Sequence, residues 1–146
     1  MFSSIMVGTD GSETAATAVH RAFELARTHG ATLHVVTAYQ PVLSSRLQDQ
    51  LEELPQELRW MASPGERAEV ILRDTVTELG GDLDVQTHAF AGDAADVLLE
   101  AADDLGVDVI VVGSKGMTGV QRFLLGSVPN KVAHHATCDV LIVRTT

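Results

Sequence analysis

The stretch DVIVVGSKGMTGVQRFLLGSVPNKVAHHATCDVLIV, Asp108–Val143, contains an apolar run, a glycine-punctuated loop, a helical pattern and a second apolar run. DVIVV (Asp108–Val112) is almost unbroken in β-branched residues, as a strand covered on both faces reads. Gly113, Gly116 and Gly126 punctuate the loop that follows, and Ser127 closes it. SVPNKVAHHA (Ser127–Ala136) predicts a helix with proline in its first turn, where a missing N–H costs little. DVLIVRT (Asp139–Thr145) predicts another strand buried on both sides. Strand, loop, helix and strand make one crossover unit of a parallel sheet.

The same rhythm extends back through the chain. SSIMVGTD (Ser3–Asp10) is a β-rich run ending in turn residues, and reads as strand one. In SETAATAVHRAFELARTHG, Ala15, Val19, Ala22, Phe23 and Ala26 recur at helical spacing, and Gly30 stands as a C-cap. Ala31–Tyr39 is strand two. Ala68, Ile71, Leu72, Thr75, Val76 and Leu79 share one face of a second helix over Ala68–Leu79. Asp84–Phe90 alternates as strand three, and Asp93 is placed to cap a third helix. The order is βαβαβαβαβ. It predicts an α/β fold, an open five-stranded parallel sheet with helices on both faces, as a single domain over residues 1–146.

Gln40–Gly65 breaks the rhythm, being long for a βα connection. Leu47, Leu51, Leu54 and Leu58 are spaced for a short amphipathic helix interrupted near Pro55, and Trp60 and Met61 follow. It reads either as a surface helix packed on the domain or as a lid or partner surface.

Ten basic and twenty acidic residues leave a net charge of −10. Such a chain is repelled by phosphate backbones, so nucleic acid is not an expected partner. A small nucleotide is still compatible, because backbone N–H groups bind phosphate without net positive charge. No apolar run reaches the roughly 18 residues of a membrane span, and no membrane association is expected. MFSSIMVGTD carries no secretory pattern, and the lone Cys138 cannot form an internal disulfide; both point to the cytoplasm.

In open α/β sheets, ligands lie beyond the carboxyl ends of the strands, where the topology reverses. Gly113 stands at that edge, Gly116 permits a close backbone approach, and Gly126-Ser127 opens a helix. A helix N-terminus offers unpaired N–H groups and partial positive charge, so one reading is a backbone phosphate cradle with Ser127 capping the helix. The other is a glycine-rich turn before a capped helix. GxxxxGK[ST], a GxGxxG after strand one and GxSxG are all missing, which argues against P-loop, dinucleotide-fingerprint and serine-hydrolase chemistry.

Gly113-x2-Gly116-x9-Gly126-Ser127 resembles the G-x2-G-x9-G-[ST] motif of the universal stress protein family. VGTDGSET (Val7–Thr14) resembles that family's first strand and turn, and LLGSVPNKVAHHATCDVLIVRT its last helix and strand. The resemblance spans the chain in the same element order. It implies a Rossmann-like (adenine nucleotide alpha hydrolase-like) sheet, a homodimer in which strand five is the candidate edge, and ATP, cyclic AMP or AMP as ligand. Position by position, it implies Asp10 near the ribose and any Mg²⁺, with Gly8 and Thr9 on the same turn. Ala38 falls where the backbone meets adenine. Val112, Gly113 and Gly116 match positions lining ribose and phosphate, and Gly126, Ser127 and Val128 match the phosphate cradle. From its own surroundings Asp10 also reads as the cap of helix one, with Glu13 three residues on.

The sequence departs from the resemblance at Pro129, where ATP-binding members often carry Ser or Thr. Proline has neither hydroxyl nor N–H, so a triphosphate loses more than a single phosphate. Lys115, Arg122 and Lys131 are secondary phosphate candidates, and solvated cations in the alternative. His134, His135 and Cys138 supply too few ligands for a zinc site. No clear general base stands out besides Asp10, and there is no P-loop lysine, so at most slow ATP hydrolysis is expected. A nucleotide-binding regulatory protein is the leading expectation. A slow ATP hydrolase and a nucleotide-free dimeric interaction module are the alternatives.

Overall fold

The computed structural model describes residues 1–41, 49–50, 52–57, 63–115 and 125–145. The elements are β1 (Ser4–Gly8), α1 (Glu13–His29), β2 (Thr32–Tyr39), α2 (Pro64–Leu79), β3 (Val85–Ala91), α3 (Ala94–Leu105), β4 (Val109–Gly113), α4 (Ser127–His135) and β5 (Asp139–Val143). All strand pairs are parallel, in the order β3-β2-β1-β4-β5. The α/β sheet expected from the alternation is therefore present, element by element. Helix two starts four residues earlier than its apolar pattern implied. Pro64 occupies its first position, where fixed φ and the missing N–H suit a helix start.

Alternation along the strands separates two cores. Ile5, Val7, Leu33, Val35, Val109 and Val111 face α1 and α2, meeting Ala18, Val19, Ala22, Ala26 and Leu72. Met6, Val36, Ile110 and Val112 face the other way, onto Leu98, Ala101 and Ala102 of α3 and Val132 of α4. Small residues along α1 and α3 let the helices sit close to the strands. Side chains from Ile5 to Val7 are fully buried, and those from Val109 to Val112 nearly so, as expected of central strands covered on both faces.

The N-terminal strand is also tied by a carboxylate. Asp108 Oδ2, just before β4, accepts from Ser3 N–H at 2.7 Å, Ser3 Oγ–H at 2.9 Å and Ser4 N–H at 3.0 Å. These bonds hold its carboxyl below the usual range, because they favour the charged form.

Two expectations need correction. Strand five is not buried on both sides. It does stand at the sheet edge, as expected, but its pattern is largely exposed, and Leu141 and Ile142 are 40% and 36% exposed. An apolar run reads the same whether a strand is covered by its own helices or left for another surface. Helix one is capped by Ser12, not Asp10: Ser12 Oγ accepts from Ala15 N–H at 3.2 Å. Asp10 lies two residues too early, and its Oδ1 instead accepts from Ser12 N–H at 2.9 Å. Glu13 is then the first helical residue rather than the partner in a capping box. Gly30 and Asp93 take the capping positions expected of them.

Leu47, Leu51, Leu58, Trp60 and Met61 lie outside the described residues. Leu54 is described and exposed. Among the described residues no helix is long and apolar enough to cross a membrane.

A partly buried polar pair bridges the sheet margin. His34 Nδ1 on β2 and His88 Nε2 on β3 lie 3.0 Å apart, and the His88 ring stacks on Phe90 with an interplanar angle of 9°. Burial pushes both imidazoles below the ordinary histidine range. For His34 the His88 neighbour adds to that, and Asp84 opposes it. The folded chain therefore binds fewer protons here than the unfolded chain, so stability rises with pH through this window. The contribution is complete above the unfolded value of about 6.5 and declines as pH falls below it. Thermal unfolding should give a midpoint that drops between pH 7.5 and pH 5.5, and His88→Phe should flatten that drop. An equally steep slope in the variant would rule the pair out as its source.

Candidate functional site

The chain leaves β1 for α1 on one face of the sheet and leaves β4 for α4 on the other. Because β1 and β4 are neighbours, a crevice opens between their carboxyl ends, at the reversal of strand order. Gly8, Val112, Gly113 and Val128 meet there in one small cavity. Thr14, Ala15 and Ala18 of α1 and Leu98 of α3 complete its walls. Its volume is about 20 Å³, room for a single water, so a larger ligand would lie above it. The four residues that complete the walls carry no signal of their own in the sequence. Ala15, Ala18 and Leu98 belong to helix faces whose spacing marks them only as core.

The turn after β1 is rigid. Thr9 is 2% exposed; its N–H donates to Val36 O at 2.9 Å, and its carbonyl accepts from Thr37 Oγ1 at 3.0 Å. Thr9 Oγ1 also accepts from Gly11 N–H at 3.1 Å. Gly11 has φ +83°, and an added Cβ would come 3.3 Å from Ile71 of α2, so both conformation and space favour glycine. The half-exposed Asp10 is thus held at one oxygen and presents the other. Ala38 is half-buried near the end of β2, beyond the cavity's lining.

The start of α4 is built differently from the expectation. Gly126, not Ser127, is the N-cap, and no side chain caps the helix; Ser127 is the first helical residue and is exposed. Asn130 N–H already closes onto Gly126 O at 3.1 Å, and Gly126 N–H donates to Ser114 O at 2.9 Å. Pro129 has no N–H and its side chain is buried. Of the N–H groups that a helix start leaves unpaired, those of Ser127 and Val128 are without a partner among the described residues. Gly116, the middle glycine of the motif, lies outside the described residues, as does Arg122.

Lys131 does not face the helix start as a free cation. Its Nζ sits 2.6 Å from Asp96 and 3.9 Å from Asp93, at the beginning of α3, and these carboxylates hold its pKa up. Helix α4 ends at His135, so Cys138 is not on the same helix as His134. Burial, then Asp139 and Asp103, push the Cys138 thiol up, away from the reactive thiolate. Among the described residues no three His, Cys, Asp or Glu side chains gather as a metal cluster.

The profile described as "Universal stress protein family" matches residues 1–144. A universal stress protein of Mycobacterium tuberculosis strain H37Rv is 34% identical over 148 residues, covering 99% of this chain and 98% of the relative. A universal stress protein crystallised in complex with cAMP superposes with a TM-score of 0.72 at 32% identity, covering 99% of this chain and 98% of that one. The universal stress protein UspA from Lactobacillus plantarum, at 23% identity, shares the fold with a TM-score of 0.77 over 97% of each chain.

The corrected cap separates the roles of Asp10 and Ser12. Ser12→Ala should lower stability by about 1 kcal/mol, the usual loss of an N-cap acceptor. Asp10→Asn keeps an acceptor for Ser12 N–H and should change stability by less than about 0.5 kcal/mol. Urea unfolding of both variants measures this directly, and the reverse ranking would restore Asp10 as the cap.

Proposed function

The chain belongs to the universal stress protein family, and on that premise we propose that it is a regulatory protein binding an adenine nucleotide at the β1–β4 crevice. The observation that carries this is the start of α4, which brings the N–H groups of Ser127 and Val128, without a partner among the described residues, to the reversal of strand order. Gly113, Gly126, Ser127 and Val128 form the phosphate side. Gly8, Asp10, Ala38 and Val112 form the nucleoside side. The cAMP complex of a relative at 32% identity supports the class of ligand. Gly116 belongs to the proposed site by its place in the motif.

The ligand is a nucleotide with one phosphate, cyclic AMP or AMP, rather than ATP. Two N–H groups at a helix start match a single phosphate, and Pro129 removes the donor that a longer chain of phosphates would use next. Should ATP enter with Mg²⁺, Asp10 presents one carboxylate oxygen as a ligand to that ion. No catalytic residue is assigned.

The second partner is another copy of the chain, docked at β5. Leu141 and Ile142 stand exposed on the edge strand beside Leu25 of α1, and pairing two such edges would cover them.

Calorimetric titration with cyclic AMP, AMP and ATP, with and without Mg²⁺, tests the first reading. Cyclic AMP or AMP should bind more tightly than ATP, and Pro129→Ser should strengthen ATP binding by about tenfold, one hydrogen bond to a charged group. Tighter ATP binding by the unaltered chain would overturn the one-phosphate assignment, and no binding at all would overturn the nucleotide reading. Sedimentation velocity tests the dimer. The chain should run as a dimer, and Leu141→Glu with Ile142→Glu should run as a monomer; an unchanged profile would place the contact elsewhere.

A further inference from the structure

Ser114 uses its three polar groups toward two other segments of the chain. Its N–H donates to Val143 O, at the end of β5, at 2.7 Å. Its carbonyl accepts from Gly126 N–H, the cap of α4, at 2.9 Å. Its hydroxyl oxygen accepts from Thr145 N–H at 3.2 Å and lies 3.3 Å from Thr145 Oγ1. Thr145 is half-buried and closes over Gly113, where an added Cβ would come 2.9 Å from its Cγ2. Ser114 is thus the point at which β4, the residues after β5 and the start of α4 are fastened together.

We propose that Ser114 is a positioning residue of the nucleotide site. It holds the first turn of α4 over the crevice and makes residues 143–145 part of the site's frame. The proposal rests on the nucleotide reading above, since it concerns the same N–H groups. Its physical basis is the steep distance and angle dependence of a hydrogen bond. Ser127 and Val128 N–H can serve one phosphate together only if the helix start keeps a fixed place relative to Gly113. Helix α4 has no side-chain cap to fix that place. Ser114 O supplies an anchor from outside the helix, through Gly126 N–H. The hydroxyl bond to Thr145 in turn holds Ser114, and it reaches the ligand only through that anchor. The frame therefore extends to β5, the edge offered to a second copy.

The test uses the full chain in four forms: Ser114→Ala, Ser114→Thr, Thr145→Pro and the double variant Ser114→Ala with Thr145→Pro. Thr145→Pro removes the N–H donor that the Ser114 hydroxyl accepts from. Calorimetry with cyclic AMP should show about fivefold weaker binding for Ser114→Ala and for Thr145→Pro, roughly one hydrogen bond. The double variant should lose no more than either single one, because both cut the same link. Ser114→Thr keeps the hydroxyl and should bind like the unaltered chain. In the ligand-free protein, amide exchange at Gly126 should accelerate in Ser114→Ala and Thr145→Pro and not in Ser114→Thr. A merely structural role would lower the melting temperature and leave the affinity of the folded protein unchanged, and that result overturns the proposal. Additive losses in the double variant overturn it too. If the unaltered chain binds no nucleotide, the site reading falls and the positioning role with it; if that chain binds and Ser114→Ala binds equally well, only the positioning role falls.

Discussion

The parallel pairing of β1 with β4, both buried on two faces, is the constraint on which the rest of the structure depends. A strand with apolar side chains on both faces must be roofed on both. Here α1 and α2 roof one face, and α3 and α4 the other. Each crossover is right-handed by the general preference of such units. The connection from β1 must therefore leave toward β2, and the connection from β4 toward β5. The helices following these two strands diverge, and the crevice is the space they leave. Its floor is tightly filled, with room for about one water, so it supports what lies above it without holding much itself.

Among the described residues, few groups at the rim are left unpaired. Thr9 directs its N–H and carbonyl to Val36 and Thr37 of β2 and its hydroxyl oxygen to Gly11, and Asp10 holds the next turn with one oxygen. Gly126 N–H is occupied by Ser114, and Pro129 has none to offer. The donors left over are few, adjacent and attached to a helix whose dipole points the same way. The proposed site rests on this selective saturation: a rigid frame with a small, directed remainder. The net charge of −10 does not oppose it, since the attraction is local and made of backbone dipoles.

The two sheet edges differ in how they are finished. At β3 the partly buried imidazole pair and Phe90 extend the face that α3 leaves partly open. At β5 Leu141 and Ile142 are exposed, beside Arg21, Glu24 and Thr28 of α1. The fastening at Ser114 joins this open edge to the start of α4, so the proposed dimer edge and the proposed ligand site share one support.

The sequence by itself determined the element order, the parallel sheet and the place of the crevice. Apolar periodicity and the capping residues Gly30 and Asp93 are local properties, legible over a few neighbouring residues. The glycine pattern and the helix start at Gly126-Ser127 were legible for the same reason. The tertiary structure decided what depends on distant partners. Ser12 displaced Asp10 as the cap because only one of two candidates two residues apart can reach Ala15 N–H once the turn is fixed by Thr9. Strand five proved exposed because burial depends on which helices reach the edge, not on the strand's own residues. Ser114 had no mark at all: its partners at Val143 and Thr145 are about thirty residues away in sequence, and a hydrogen bond between segments leaves no periodicity in either.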